Sequence, residues 1–280
     1  MRNDAASFDF GVKLRLILLL LLTAISAFAG GLLAAPYLPL LRQSISAYLA
    51  AALAPEGEIE AQVYEKILPS LVEVKGIGGS EQPDEAGADA FASPVSLLPD
   101  TPGRGQGSGF VWDKAGYIVT NFHVVDGARC IEVTFADGSE TGAALHGIDL
   151  STDLAVLKVN LPPDRLQPVT LGDSAGLTVG QPALAMGAPP GQAFTMSRGN
   201  INALDQTMQG CESCYPISDV IQTDMVLGPE DSGGPLLNEQ GEVIGINTWI
   251  INRNSGNSGI NFAVSSRAIE QVVPRLIGDK

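Results

Sequence analysis

From Gly109 to Val264 the chain is a series of short apolar runs, each cut off by turn-forming residues. The runs are Gly116–Thr120, Cys130–Phe135, Leu154–Val159, Ala183–Gly187, Glu242–Asn247 and Gly259–Val264. Asp137-Gly138 and Gly172-Asp173-Ser174 are typical of the punctuation between them. Short strands spaced by turns build barrels or sandwiches rather than layered α/β sheets. The composition agrees: 32 glycines and 18 prolines with only 6% aromatics suit a turn-rich β protein. Leu161-Pro162-Pro163-Asp164 reads as a joint between two halves. Ser266 to Ile277 carries Ala268, Ile269, Val272, Val273 and Leu276 at helical spacing, so it reads as a C-terminal amphipathic helix, interrupted or bent near Pro274.

The N-terminal part differs. Residues 1–15 contain Arg2, Lys13 and Arg15, and Leu16 to Ala35 then runs without a charge. About twenty apolar residues are enough to span a bilayer as a helix, and flanking cations keep their end in the cytoplasm. Residues 16–36 are therefore expected to be a transmembrane anchor. Ala27-Phe28-Ala29 also resembles a small-x-small cleavage site, so a removed signal segment fits the same residues. Either reading exports the rest: membrane-anchored with the globular part periplasmic or cell-surface, or secreted after cleavage. Residues 37–60 read as a stalk, and the folded domain is expected over 61–277. Within it, one half covers about 61–165 and the other about 166–265. Gly76 to Gly107, dense in Gly, Pro, Asp, Glu and Ser, reads as a long mobile surface loop.

Sixteen basic against 31 acidic residues leave a net charge of −15. Nothing supplies the basic footprint a nucleic-acid partner requires. The three cysteines do not make a metal site, because no second Cys-x-x-Cys or His-x-x-x-His completes a set. Cys211 and Cys214 fit a local loop disulfide or two free thiols, and Cys130 reads as a buried apolar residue. No cofactor is expected.

Nucleophilic acyl transfer needs a hydroxyl, a base for its proton, a carboxylate to orient that base, and donors for the oxyanion. With two histidines the search for a base is short. His123 follows a strand-like run, whereas His146 sits in a turn-like setting. Asp153 opens the apolar run Leu154–Val159, a position suited to a buried carboxylate facing a histidine. Ser232 lies in the Gly-rich segment Gly228–Pro235, where glycines allow positive φ and inward-aimed N–H groups. Each piece alone is weak; the order His, Asp, Ser is specific and is that of chymotrypsin-type enzymes.

On these motifs the chain resembles the HtrA/Deg branch of the trypsin-like serine proteases over roughly Glu60 to Ile277. The resemblance is carried by Gly107–Val111, Gly116–Val125, Asp149–Val159, Leu171–Ser174, Ile221–Asp224, Gly245–Asn247 and Gly259–Val264. It implies an all-β fold of two six-stranded antiparallel barrels with the site in the cleft between them. His123 and Asp153 would come from the first barrel and Ser232 from the second. His123 would act as general base and then acid, and Asp153 would orient its ring. The oxyanion hole would lie at Glu230, Asp231 and Ser232. Polypeptides would be the substrates, and a homotrimer is expected by analogy with relatives.

The chain departs from the family pattern in two ways. Glu230 stands where relatives carry the glycine whose N–H, with that of Ser232, forms the oxyanion hole. A side chain there restricts that peptide, so a slowed or conditional enzyme is expected. Too few residues follow Ile277 for a PDZ domain, so capture of substrate through one is not expected. Val226, six residues before Ser232, would line the base of the primary pocket with Ile246, Asn247 and Thr248 as walls, favouring small or medium aliphatic residues. Cys211 and Cys214 fall where the family places an activation loop. The rival functional reading is an inactive relative that binds peptides or scaffolds a complex, supported only by Glu230. A metal or redox protein using the two cysteines lacks the necessary ligands.

Overall fold

The computed structural model describes residues 57–78, 105–189, 191–209, 216–248 and 260–278. Twelve strands form two closed barrels of six. The first barrel contains β1 (Leu71–Ile77), β2 (Gln106–Val111), β3 (Tyr117–Asn121), β4 (Cys130–Phe135), β5 (Glu140–Asp149) and β6 (Leu154–Val159). The second contains β7 (Pro182–Gly187), β8 (Thr195–Gln209), β9 (Pro216–Thr223), β10 (Pro235–Leu237), β11 (Val243–Thr248) and β12 (Asn261–Ser265). All the pairings between these strands are antiparallel, and the circuit orders are β1-β2-β3-β6-β5-β4 and β10-β11-β12-β9-β8-β7. Helices are short: α1 (Glu58–Ile67), α2 (Phe122–Val125) and α3 (Ser266–Ile277).

The run Leu154–Val159 shows how the sequence sets the core. Side chains alternate along a strand, so a strand buried on both faces is apolar throughout. Ala155, Leu157 and Val159 fill the first barrel with Val72, Ile118 and Val133. Leu154 and Val156 face the other way and join Phe110 and Val119 against Leu184, Met186, Leu237, Ile246 and Val264 of the second barrel. This shared core fixes the two barrels against each other, and α3 closes it with Ile269, Val272 and Val273. From the N-terminal side, α1 buries Val63 and Ile67 and reaches the second barrel. Its Tyr64 hydroxyl donates to the Phe194 carbonyl at 2.9 Å, and Glu60 pairs with Arg198.

Several expectations need correction. Cys130 is exposed rather than buried, because the alternation of β4 sends Ile131, Val133 and Phe135 inward and Cys130 outward. His146 is within β5, at the register shift between Leu145 and Gly147, rather than in a turn. The mixed polar composition of β5 hid a mostly solvent-facing strand. The stretch 76–107 is not loop at its ends, since β1 runs to Ile77 and β2 starts at Gln106. The C-terminal helix is not interrupted at Pro274 but continues to Ile277. The apolar run 16–36 and the pair Cys211 and Cys214 lie outside the described residues. Among the described residues no helix is long and apolar enough to cross a membrane.

The start of α3 ties it to the barrel. Ser265 Oγ accepts the Ala268 N–H at 3.2 Å and donates to Asp219 Oδ2 at 2.6 Å. Replacing a capping serine by alanine costs about 1 kcal/mol. Ser265→Ala is therefore expected to lower stability by about 1–2 kcal/mol in urea unfolding; an unchanged midpoint would show that the cap contributes nothing.

Candidate active site

His123 stands in the single turn of α2, directly after β3, and Asp153 immediately precedes β6. Because β3 and β6 are paired, with Asn121 opposite Leu154, the two residues are forced together. His123 Nδ1 lies 2.6 Å from Asp153 Oδ2, and the His123 N–H donates to Asp153 Oδ1 at 3.0 Å. Asp153 is only 8% exposed and adopts φ +55°, a left-handed conformation that aspartate tolerates at a small cost. Its carbonyl accepts from the Phe122 N–H at 2.8 Å and from Asn121 Nδ2 at 2.9 Å. Four polar contacts thus hold the strained residue in place. Burial opposes protonation of His123, but the charge and hydrogen bond of Asp153 outweigh it, with Asp126 adding to them. The imidazole is consequently held above its ordinary value.

Ser232 is buried at 0% exposure and follows a 3-10 turn, Pro229–Asp231. The turn is clamped to the first barrel. The Ser108 N–H donates to the Ser232 carbonyl at 2.8 Å. Ser108 Oγ donates to the Glu230 carbonyl at 2.6 Å and accepts from the Ala188 N–H at 2.9 Å. A Cβ on Gly107 would fall 2.6 Å from the Ser232 carbonyl oxygen and 2.8 Å from Val124 Cγ2, so the serine turn and the histidine helix close on the same glycine. A Cβ on Gly233, at φ +83°, would meet the Ser108 carbonyl oxygen at 2.2 Å and Thr120 Oγ1 at 2.4 Å. Strand β11 supports the turn from behind: Gly233 N–H donates to the Asn247 carbonyl at 2.9 Å, and Asn247 N–H to the Gly234 carbonyl at 2.8 Å.

The turn expected to supply the oxyanion donors uses them internally. The Ser232 N–H donates to the Pro229 carbonyl at 3.1 Å, and the Asp231 N–H donates to Gly228 at 3.1 Å. The Ser232 donor is therefore occupied within its own turn. Pro229 fixes one φ, and Glu230 carries a side chain where a glycine would leave the peptide freer to rotate. That side chain folds back over Gly228: a Cβ there would lie 2.5 Å from both Glu230 carboxylate oxygens. Asp231 Oδ2 accepts the Gly228 N–H at 2.7 Å and its carboxylate packs against Gly187. Burial raises Asp231, the Gly228 N–H lowers it and Glu230 raises it again, giving about 6.

Among the expected pocket residues only Val226 is open, at 64% exposure, while its neighbours Met225 and Leu227 are buried. The Ile246 side chain is buried in the core shared by the barrels. Asn247 and Thr248 are both 2% exposed and hydrogen-bonded: Asn247 Nδ2 donates to the Pro235 carbonyl, and Thr248 Oγ1 accepts from Asn121 Nδ2. His146 lies against Tyr117, with ring centroids 4.9 Å apart and planes tilted by 57°. Sequence reasoning gave no role to Asn121 or Ser108. Both lie inside the motifs flanking His123, and two buried polar residues in apolar strands were the available signal.

Residues 107–246 match the family model for the trypsin-like peptidase domain. The Arabidopsis thaliana protein "Protease Do-like 1, chloroplastic" is 38% identical over 216 residues, covering 77% of this chain and 47% of the relative. A "Probable periplasmic serine endoprotease DegP-like" of Halomonas elongata is 40% identical over 210 residues, covering 72% of this chain and 43% of the relative. The solved structure "HtrA-type protease AlgW with decapeptide" matches with a TM-score of 0.62 and 32% identity, covering 78% of this chain and 67% of that one. The chain belongs to the trypsin-like peptidase family, in its HtrA-like branch. It spans less than half the length of these curated relatives.

Asp231 gives a testable pH dependence. Its folded-state value is raised, so the folded protein keeps a proton that the unfolded chain has lost. Stability therefore falls as pH rises from about 4 to about 6 and stays reduced above. Asp231→Asn keeps the shape and removes this penalty. It is expected to add on the order of 3 kcal/mol at about pH 8 and nothing near pH 4, by urea unfolding. An equal change at both pH values would contradict the assignment.

Proposed function

We propose that the chain is an exported, membrane-anchored serine endopeptidase that hydrolyses extracytoplasmic polypeptides, misfolded or specific, with Ser232 as nucleophile. The observation that carries this reading is the His123–Asp153 pair at 2.6 Å, set beside the buried Ser232 turn at the junction of two barrels. Asp153 accepts the Nδ1 proton, which leaves Nε2 as the base. In acylation, Nε2 takes the Ser232 proton as the oxygen attacks the scissile carbonyl, then returns it to the leaving amine. A water repeats the sequence to release the acid. The relatives, a probable periplasmic serine endoprotease among them, support export and protease action. The apolar run 16–36 supports the anchor, and the family supports a trimer.

The Ser232 N–H bond to Pro229 favours a second reading in one respect. The hole must open by rotation of the Pro229–Glu230 peptide before the oxyanion can be held, so the chain at rest is slow or conditional. An inactive relative that only binds peptides would never open it. Hydrolysis of an unfolded protein separates the two. Wild type is expected to cleave and Ser232→Ala to be inert, and Asp153→Asn should lose about 10⁴ in kcat. Glu230→Gly is expected to raise turnover by up to about 10²-fold; equal turnover would remove Glu230 as the brake, and an inert wild type would favour the binding reading. Cleavage-site profiling should show small or medium aliphatic residues opposite Val226, and a preference for cleavage after Lys or Arg would overturn that pocket.

A further inference from the structure

The clearest polar outlier at the site is Asn121. It is 0% exposed, flanked by the buried β3 residue Thr120. Both hydrogens of its amide are used: Nδ2 donates to the Asp153 carbonyl at 2.9 Å and to Thr248 Oγ1 at 3.0 Å. Its Oδ1 is buried and has no hydrogen-bond partner. The reverse amide orientation would point an oxygen at the Asp153 carbonyl, so the donor end must face it. A buried acceptor left unpaired costs about 1–3 kcal/mol. An apolar residue would avoid that cost, so Asn121 is retained here for something other than stability.

Its two partners lie in different barrels. Asp153 precedes β6 of the first, and Thr248 ends β11 of the second. Thr248 is the residue after Asn247, whose backbone holds Gly233 and Gly234 on either side of its own peptide plane. Two consecutive residues of one strand thus grip both halves of the site. Asn247 carries the turn that follows the nucleophile, and Thr248, through Asn121, carries the backbone of the carboxylate. The Asp153 backbone is the part needing such support, since its left-handed φ is held by contacts rather than preferred.

We infer that Asn121 is a positioning residue, a strut from Thr248 to the Asp153 carbonyl that registers the acid–base pair of the first barrel against the nucleophile turn of the second. This rests on the triad reading proposed above. Without the strut, Asp153 keeps the Phe122 N–H but is free to rotate toward a relaxed φ, and its carboxylate leaves the axis of the His123 ring. Misplacement of about 1 Å in such a group is enough for a loss on the order of 10²-fold.

The test uses the full chain with two substitutions, Asn121→Ala and the isosteric Thr248→Val, and three readouts. The first is steady-state hydrolysis, where each variant is expected to lower kcat on the order of 10- to 100-fold while KM holds. The second is the low-field proton NMR resonance of His123 Nδ1–H, which is expected to move upfield in both. The third is urea unfolding, where Asn121→Ala should lose little stability because it also removes the orphan Oδ1. A purely structural role predicts the opposite: reduced stability with an unmoved resonance and unchanged kcat in the folded fraction, and that result overturns the inference. Should Asn121→Ala not fold, Thr248→Val decides alone, because it leaves no cavity. Failure of the triad reading looks different, since the wild type itself would then be inert while the resonance still reports the strut.

Discussion

Two backbones meet at Gly233 more closely than any side chain would permit. The Ser108 carbonyl occupies the space where a Cβ would stand, and Gly107 meets the Ser232 carbonyl in the same manner from the other side. This contact sets the Ser232 turn of one barrel against the strand and helix that carry His123 in the other. The apolar core between Leu154, Val156, Leu184 and Met186 holds the barrels together, but it would tolerate small slides. The contacts at the turn do not, because Ser108 N–H to the Ser232 carbonyl and Ser108 Oγ to the Glu230 carbonyl are directional. Packing therefore supplies the attraction, and two glycines with a serine supply the register.

Within that register the site is built from strain and compensation. Asp153 sits in a left-handed conformation and is supported by four hydrogen bonds, one of which reaches it from β3 through Asn121. Asp231 is a buried carboxylate facing a glycine N–H and a neighbouring Glu230, without a cation. Ser232 donates inside its own turn. A barrel built only for stability would keep none of these features. Together they describe a His123–Asp153 pair already joined and a Pro229–Asp231 turn closed on the Ser232 N–H.

Much of this was legible in the residues. The apolar runs located β3, β4, β6, β7, β11 and β12 within a residue or two, because strands buried on both faces carry a near-continuous apolar signal and β4 alternates cleanly. The pattern failed where burial was one-sided or interrupted. β5 mixes glycines and polar residues, and β8 carries several register shifts, so neither shows a clean period. Chain order and local context singled out His123, Asp153 and Ser232 as the expected triad. The pairing of β3 with β6 then brings His123 and Asp153 into contact. That the Ile246 side chain lies in the core between the barrels was not legible, because alternation along β11 cannot be phased without knowing which face meets the other barrel. The closed Pro229–Asp231 turn was only half visible: Glu230 signalled a constraint, but the bond from Ser232 N–H to Pro229 is a matter of peptide orientation, which no residue type dictates.

The account depends on Ser232 being a working nucleophile whose oxyanion donors can be freed. A crystal structure of the chain after reaction with a fluorophosphonate tests this most directly. The account predicts a phosphonyl group on Ser232 Oγ, its oxygen within hydrogen-bond reach of the Ser232 and Glu230 N–H groups, and the Pro229 carbonyl turned away. An unmodified Ser232, or an adduct with the Pro229 bond still intact, would contradict it.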